Sequence, residues 1–189
     1  GTTAFFTVTR KIYFGIGVLL LLVCGCRYGL PENEIKDMMG LQQGWEQIVS
    51  SSESKFQSIN EKHGAFMEAL QDTSNWQRRM LIQQDTMLKL QISRLSGNFD
   101  GAKRRHIYNL KEMRTFLDAS KVWLQRIGSE GNARQLARRS WQARTTTFET
   151  LFGRIQESEA AFEIIAPQYT FITKLLPSIA PMSPVIPVP

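Results

Sequence analysis

Cysteine and histidine are scarce in this 189-residue chain, which contains two of each. Both cysteines, Cys24 and Cys26, lie near its start, so residues 27–189 cannot form a disulfide among themselves. Neither His63 nor His106 has a glutamate three residues before it, which excludes the Glu-x-x-His pair of di-iron bundles. No cysteine and histidine residues cluster at metal-ligand spacing, and we expect neither a metal nor a cofactor.

Catalytic motifs are also missing. The chain has no phosphate-binding glycine loop, no G-x-S-x-G nucleophile turn and no H-E-x-x-H sequence. The carboxylates of Glu157, Glu159 and Glu163 belong to the polar face of a helix and are expected to be solvated. His63 is expected to be a partly buried structural residue, and His106 a titratable charge at a helix start. The chain is therefore not expected to be an enzyme.

No stretch shows the two-residue alternation of a β-strand, whereas apolar residues recur at helical spacing throughout. Two series alternate steps of three and four residues, as in a heptad seam. The first predicts a helix over Glu32–Gln71 and comprises Trp45, Val49, Ser52, Phe56, Ile59, His63, Phe66 and Leu70. The second predicts a helix over Ala133–Ala166 and comprises Trp141, Thr145, Phe148, Leu151 or Phe152, Ile155, Ser158, Phe162 and Ile165.

Turn-forming residues separate two further helices. A break is predicted at Asp72–Ser74, where Ser74 and Gln77 form a capping box. The helix that follows, Asn75–Leu95, is predicted to bury Trp76, Met80, Met87 and either Leu88 or Leu90. Turn composition at Ser96–Gly101 predicts the end of that helix, and a third follows over Ala102–Ile127. Pro167 is predicted to stop the last helix.

These elements predict an all-α, antiparallel up-and-down helical bundle spanning residues 27–166, because short polar connections make successive helices neighbours. The bundle has four helices, or three if the first two are fused. Residues 167–189 are predicted to be a proline-rich tail, whose Phe171, Ile172, Leu175 and Leu176 could add one apolar turn to the end of the bundle. Pro181, Pro184 and Pro187 share the period of a polyproline II helix.

The first 26 residues have the layout of an export signal. Arg10 and Lys11 precede an apolar run, Ile12–Val23, and the cysteines follow. Residues 12–26 extend about 22 Å as a helix, which is shorter than the roughly 30 Å of a bilayer's hydrocarbon core. That length is typical of the apolar region of a signal peptide.

The sequence Val23-Cys24-Gly25-Cys26 resembles the lipobox of bacterial lipoproteins, although Cys24 occupies a position where Ala, Ser or Thr is usual. The resemblance implies cleavage before Cys26 and acylation of that cysteine, for example with palmitate. The overall layout is similar to that of LemA-type membrane-anchored proteins, but no motif of such a family can be quoted from residues 27–189.

A second interpretation keeps residues 1–26 as an uncleaved membrane anchor, with Arg10 and Lys11 on the cytoplasmic side. Both interpretations predict a bacterial envelope protein whose residues 27–189 lie on the periplasmic or extracellular side. The function then expected is a structural or protein-interaction role. The alternative is an accessory subunit of a larger membrane complex, and a small apolar ligand between helices is a third option.

Basic side chains are the candidate binding residues, since the net charge is +6 and residues 27–189 retain most of it. They form two groups, comprising Lys103, Arg104 and Arg105 in one and Arg134, Arg138 and Arg139, with Arg144 and Trp141, in the other. Anionic lipid, acidic envelope polymers or a protein partner are the expected ligands, and export argues against nucleic acid. Met38 and Met39 are candidates for an exposed protein contact. A homo-oligomer through the first helix is also possible on the heptad pattern.

Overall fold

The computed structural model describes residues 29–72, 74–129 and 134–176. These residues form four helices and no strand: α1 (Glu32–Gln71), α2 (Trp76–Gln84), α3 (Thr86–Ser129) and α4 (Arg134–Leu175). The prediction of an all-α bundle of four helices is confirmed. The predictions for residues 1–26 and for the tail beyond residue 176 lie outside the described residues.

Helix α1 has the predicted bounds and buries the predicted seam. Six of the eight seam residues are buried, while Phe56 and Ile59 are half-buried. Glu32 and Glu34 lie in the first turn of α1, where negative charge is favourable to the helix dipole. Periodicity and helix-end chemistry are both local properties, which is why this element could be predicted in full.

The second predicted helix is divided at Asp85. The Asn75 side chain caps α2 by accepting a hydrogen bond from the Arg78 amide at 3.0 Å. Asp85 has an extended backbone at the end of α2, and its carboxylate accepts bonds from the amides of Met87 at 2.9 Å and Leu88 at 3.1 Å. One residue therefore closes α2 and caps α3.

The turn predicted at Ser96–Gly101 is wrong, because α3 runs through it without interruption. Leu95, Phe99 and Ala102 are buried there, so apolar burial offsets the poor helix propensity of the two glycines. Neither glycine has a positive φ. The start predicted at Ala102 for a third helix is wrong for the same reason.

The end predicted at Pro167 is also wrong, since α4 continues to Leu175. A proline inside a helix removes one backbone hydrogen bond and costs about 3 kcal/mol. Tyr169, Ile172 and Leu176, which follow the proline, are buried in the core cluster of α1, α3 and α4. Their burial compensates the lost bond.

The helices contribute to two compact units. Unit 1 contains the described residues up to Gln43 and Asp118–Thr147, and unit 2 contains Gly44–Leu117 and the described residues from Phe148 onward. In unit 2, α3 runs antiparallel to α1 and α4. Residues with higher numbers in α3 contact residues with lower numbers in α1 and in α4. The pairs that show this include His63–Phe99, Phe56–His106, Phe99–Phe162 and His106–Ser158.

Unit 1 has its own small apolar cluster, formed by Leu30, Met38, Leu124, Ile127 and Ala137. Met38 is buried in this cluster, so the prediction that it offers an exposed protein contact is wrong. The neighbouring Met39 is exposed.

The helical state of residues 96–101 can be tested by replacing Gly97 with alanine. A Cβ at Gly97 would meet no atom within 4 Å, so we expect Gly97→Ala to raise the free energy of unfolding by about 1 kcal/mol in a urea titration. Gly44→Ala is the matched control, because that site is equally open and lies in α1. A loss of stability at Gly97, with a gain at Gly44, would contradict the helical assignment.

Candidate functional site

A groove on unit 2 brings three arginines together between α3 and α4. Its volume is about 400 Å³. The lining residues are Arg104, Arg105, Tyr108, Asn109, Arg154, Glu157 and Ser158. Arg104 and Arg105 were predicted as binding residues near the start of a helix. They lie instead inside α3. Lys103 is half-buried and is not among the lining residues.

The base of this arginine groove is held by a hydrogen-bonded network. The Ser158 hydroxyl donates to the Ile155 carbonyl at 2.8 Å and lies 2.7 Å from His106 Nδ1. Asn109 Nδ2 donates to the Arg154 carbonyl at 3.0 Å and to Ser158 Oγ at 3.3 Å. The Ser158 hydroxyl has one proton, which it donates to the Ile155 carbonyl. Ser158 Oγ therefore accepts the hydrogen bond from His106 Nδ1.

Glu112 restrains one side of the groove. Its carboxylate accepts the Tyr108 hydroxyl at 2.5 Å and lies 3.3 Å from Arg154 Nη1. The hydrogen bond to Glu112 raises the pKa of Tyr108. Arg154 is thus partly neutralised, whereas Arg104 and Arg105 are exposed and have no acidic partner within salt-bridge distance among the described residues.

The groove can bind an anion by charge and hydrogen bonding. Two uncompensated guanidinium groups and a third shared with Glu112 outweigh the single lining carboxylate, Glu157. Guanidinium groups bind carboxylates and phosphates through paired N–H donors. Arg154 was not predicted as a binding residue, because its distance of about fifty positions from Arg104 hides their proximity.

The other predicted basic group lies in unit 1 and is largely engaged by its own fold. Arg138 binds Glu34 through Nε at 3.0 Å and Nη2 at 2.5 Å. That hydrogen bond lowers the pKa of Glu34 and raises the pKa of Arg138. Arg134 and Arg139 are exposed. The group is therefore less available to an external anion than its composition indicates.

Aromatic stacking occupies the remaining members of this group. Trp141 stacks on Trp123 with ring centroids 6.1 Å apart and an interplanar angle of 11°. The Arg144 guanidinium lies 4.7 Å from the centroid of the Trp123 ring and donates to Ser120 Oγ at 3.2 Å. Trp141 and Arg144 thus have structural roles, which reduces their value as ligand-binding residues.

Both histidines are buried in unit 2. His63 was expected to be structural, and its ring stacks on Phe99 at 3.6 Å while Nδ1 lies 2.5 Å from the Tyr169 hydroxyl. The expectation for His106, a titratable charge at a helix start, is wrong because its side chain is completely buried within α3. Burial lowers the pKa of His63 and of His106 to about 4.

A row of exposed apolar side chains contradicts the predicted core. Trp76, Met80 and Met87 were expected to be buried, yet Trp76 is 64 % exposed and Met87 57 % exposed. Of the two alternatives Leu88 and Leu90, Leu88 is buried and Leu90 is exposed. Because α2 places Arg78 inward and α3 places Leu88 inward, the four exposed residues lie on the solvent side of their helices. We call them the exposed seam.

Neither membrane-spanning nor metal-binding features occur in the described part of the chain. No helix over residues 29–72, 74–129 or 134–176 combines the length and apolar character needed to cross a bilayer. The same residues contain no group of three or more potential ligands placed for a metal ion. Comparison with family models, curated proteins and solved structures gives no match for this chain.

The buried histidines make the fold sensitive to acid. An unfolded imidazole titrates near pH 6.5, whereas those of His63 and His106 titrate near pH 4 in the fold. The unfolded chain therefore binds protons first, and the contribution of the neutral imidazoles to stability is full above pH 6.5 and lost as the pH falls towards 4. We expect the free energy of unfolding to decrease over that window.

NMR titration of the two histidine ring signals checks this directly, since the chain has two histidines to follow. In the folded protein, both rings should stay neutral well below pH 6.5. A ring that titrates near 6.5 without unfolding would contradict the buried placement of that histidine.

Proposed function

We propose that this chain is an exported helical-bundle protein, tethered to the bacterial envelope membrane by its N-terminal segment, with a structural or protein-interaction role and no catalytic activity. The tether rests on the sequence features of residues 10–26, which resemble a lipoprotein signal ending at Cys26. The interaction role rests on the arginine groove of unit 2.

The groove is the observation that favours binding over a purely structural role. Arg104 and Arg105 are exposed at its edge, and neither contributes to the polar network at its base. A ligand can bind guanidinium groups that are solvated and make no structural contact without disturbing the fold. An acidic segment of a partner protein is the ligand we favour, because carboxylates match the guanidinium groups in charge and hydrogen bonding.

An alternative function follows if the N-terminal segment is not cleaved. The protein would then be a single-pass accessory subunit whose apolar run, Ile12–Val23, packs against the spanning helices of a larger complex. The groove would serve the same purpose in either case, since residues 27–189 lie on the same side of the membrane.

Intact mass distinguishes the two forms of attachment. Protein purified from native membranes is expected to have the mass of residues 26–189 plus acyl chains. Cys26→Ser should abolish acylation, while Cys24→Ser, its matched control, should leave acylation unchanged. A mass that includes the residues before Cys26, with the same lack of cleavage in both variants, would support the uncleaved subunit and overturn the lipoprotein assignment.

The binding role of the groove can be tested with polyglutamate as a model acidic segment. Arg104→Gln with Arg105→Gln should weaken binding on the order of tenfold at low salt, because each exposed ion pair contributes up to about 1 kcal/mol. Added salt should reduce the difference.

The control is Arg134→Gln with Arg139→Gln, which removes the same charge from unit 1 and leaves the groove intact. Equal weakening by the two pairs of substitutions would mean that polyglutamate responds to net charge alone, and the groove would lose its assigned role.

A further inference from the structure

The exposed seam consists of two pairs of apolar side chains whose exposed fractions lie between 41 and 64 %. Trp76 and Met80 lie one turn apart on α2, and Met87 and Leu90 lie one turn apart on α3, beyond the break at Asp85. Large apolar side chains grouped on one solvent-exposed face are typical of a contact with a partner or a membrane.

The fold itself fixes this face outward. Arg78, on the opposite side of α2, donates from Nη1 to the Ala69 carbonyl at 2.6 Å, which ties α2 to the last turn of α1. Leu88 packs in the core cluster of unit 2. Rotating α2 to bury its part of the seam would break the Arg78 contact, and rotating α3 would expose Leu88, so the seam stays exposed among the described residues.

The charges beside the seam are mainly positive. Arg79, Lys89 and Arg94 are exposed on the same segment. Its single acidic residue, Asp85, is used to cap α3. Exposed Trp, Met and Leu side chains beside exposed Arg and Lys side chains suit the interface of an anionic membrane, where tryptophan lies at the head-group level and cations lie near lipid phosphates.

A second copy of this chain suits the seam less well. Paired coiled-coil helices usually match opposite charges beside the seam, whereas this segment exposes Arg79, Lys89 and Arg94 and has one carboxylate, that of Asp85, which caps α3. The charge therefore favours a negatively charged surface. Trp76 adds to the preference, because tryptophan is enriched at the level of lipid head groups.

We propose that the exposed seam on α2 and the start of α3 docks on anionic phospholipid, with Trp76, Met80, Met87 and Leu90 inserted at the head-group level and the three basic side chains near lipid phosphates. This contact rests on the proposed function in that it requires the chain to be held at a membrane. It assigns α2 the role of a second, reversible membrane contact in addition to the N-terminal tether.

Trp76 fluorescence in the full chain provides the test, because the emission lost in Trp76→Phe isolates this residue from the three other tryptophans. Vesicles made of equal parts phosphatidylcholine and phosphatidylglycerol, with bromine on the acyl chains, should shift the Trp76 emission to shorter wavelength and quench it. Vesicles of brominated phosphatidylcholine alone should have much less effect. Replacing Arg79, Lys89 and Arg94 with Gln should weaken the response about fivefold per charge.

Met87→Gln with Leu90→Gln should also weaken the Trp76 response, by on the order of tenfold. Ile164→Gln is the matched control, since Ile164 is 78 % exposed on α4 of the same unit and should not alter the response. Circular dichroism verifies that each variant keeps its helical content.

Three results would overturn the proposal. The first is vesicle binding of the chain with unchanged Trp76 emission, which would assign binding to the N-terminal segment. The second is a concentration-dependent shift without lipid, which would identify a second copy as the occupant. The third is an equal shift with polyglutamate, which would identify an acidic protein. The vesicle assay does not depend on cleavage at Cys26. The intact mass tests the lipoprotein tether, and the Trp76 emission tests the membrane contact of the exposed seam.

Discussion

The contacts of His63 with Phe99 and Tyr169 are the constraint on which much of unit 2 depends. His63 occupies a seam position of α1, where its ring stacks on Phe99 of α3 and its Nδ1 lies 2.5 Å from the Tyr169 hydroxyl of α4. A buried imidazole without a hydrogen-bond partner would cost several kcal/mol. Phe99 lies in the Ser96–Gly101 stretch of α3, and Tyr169 lies beyond Pro167 on α4, so both contacts come from stretches that the sequence did not predict to be helical.

This dependence explains which features of the fold could be predicted from the sequence. The bounds of α1 and the buried seams of α1 and α4 follow from periodicity and helix-end chemistry, which are local. Gly97 and Pro167 are also local signals, but they indicated a turn and a helix end that the structure lacks. Contacts across 106 residues, such as His63 with Tyr169, outweigh them, and no short window of sequence contains both partners.

The candidate binding residues show the same limit. Residue type identified Arg104, Arg105, Arg134 and Arg138 as candidate binding residues, but whether each is free to bind a ligand depends on which carboxylate lies nearby. Arg138 pairs with Glu34 across 104 positions, and Arg154 joins Arg104 at the groove across the α3–α4 connection. Composition predicts where charge is present, but only the packing of the helices decides which charges are neutralised.

A comparison of the seams shows that apolar character alone does not decide burial. The α1 seam contains Ser52 and His63, which are buried, while the apolar residues Trp76, Met80, Met87 and Leu90 are exposed. The difference arises at the helix ends. Asn75 and Asp85 cap α2 and α3, and the Arg78 contact with Ala69 sets the rotation of α2, so polar contacts direct the apolar face outward. Polar contacts at the ends of α2 and α3 therefore fix the orientation in which these apolar side chains face solvent and not the core.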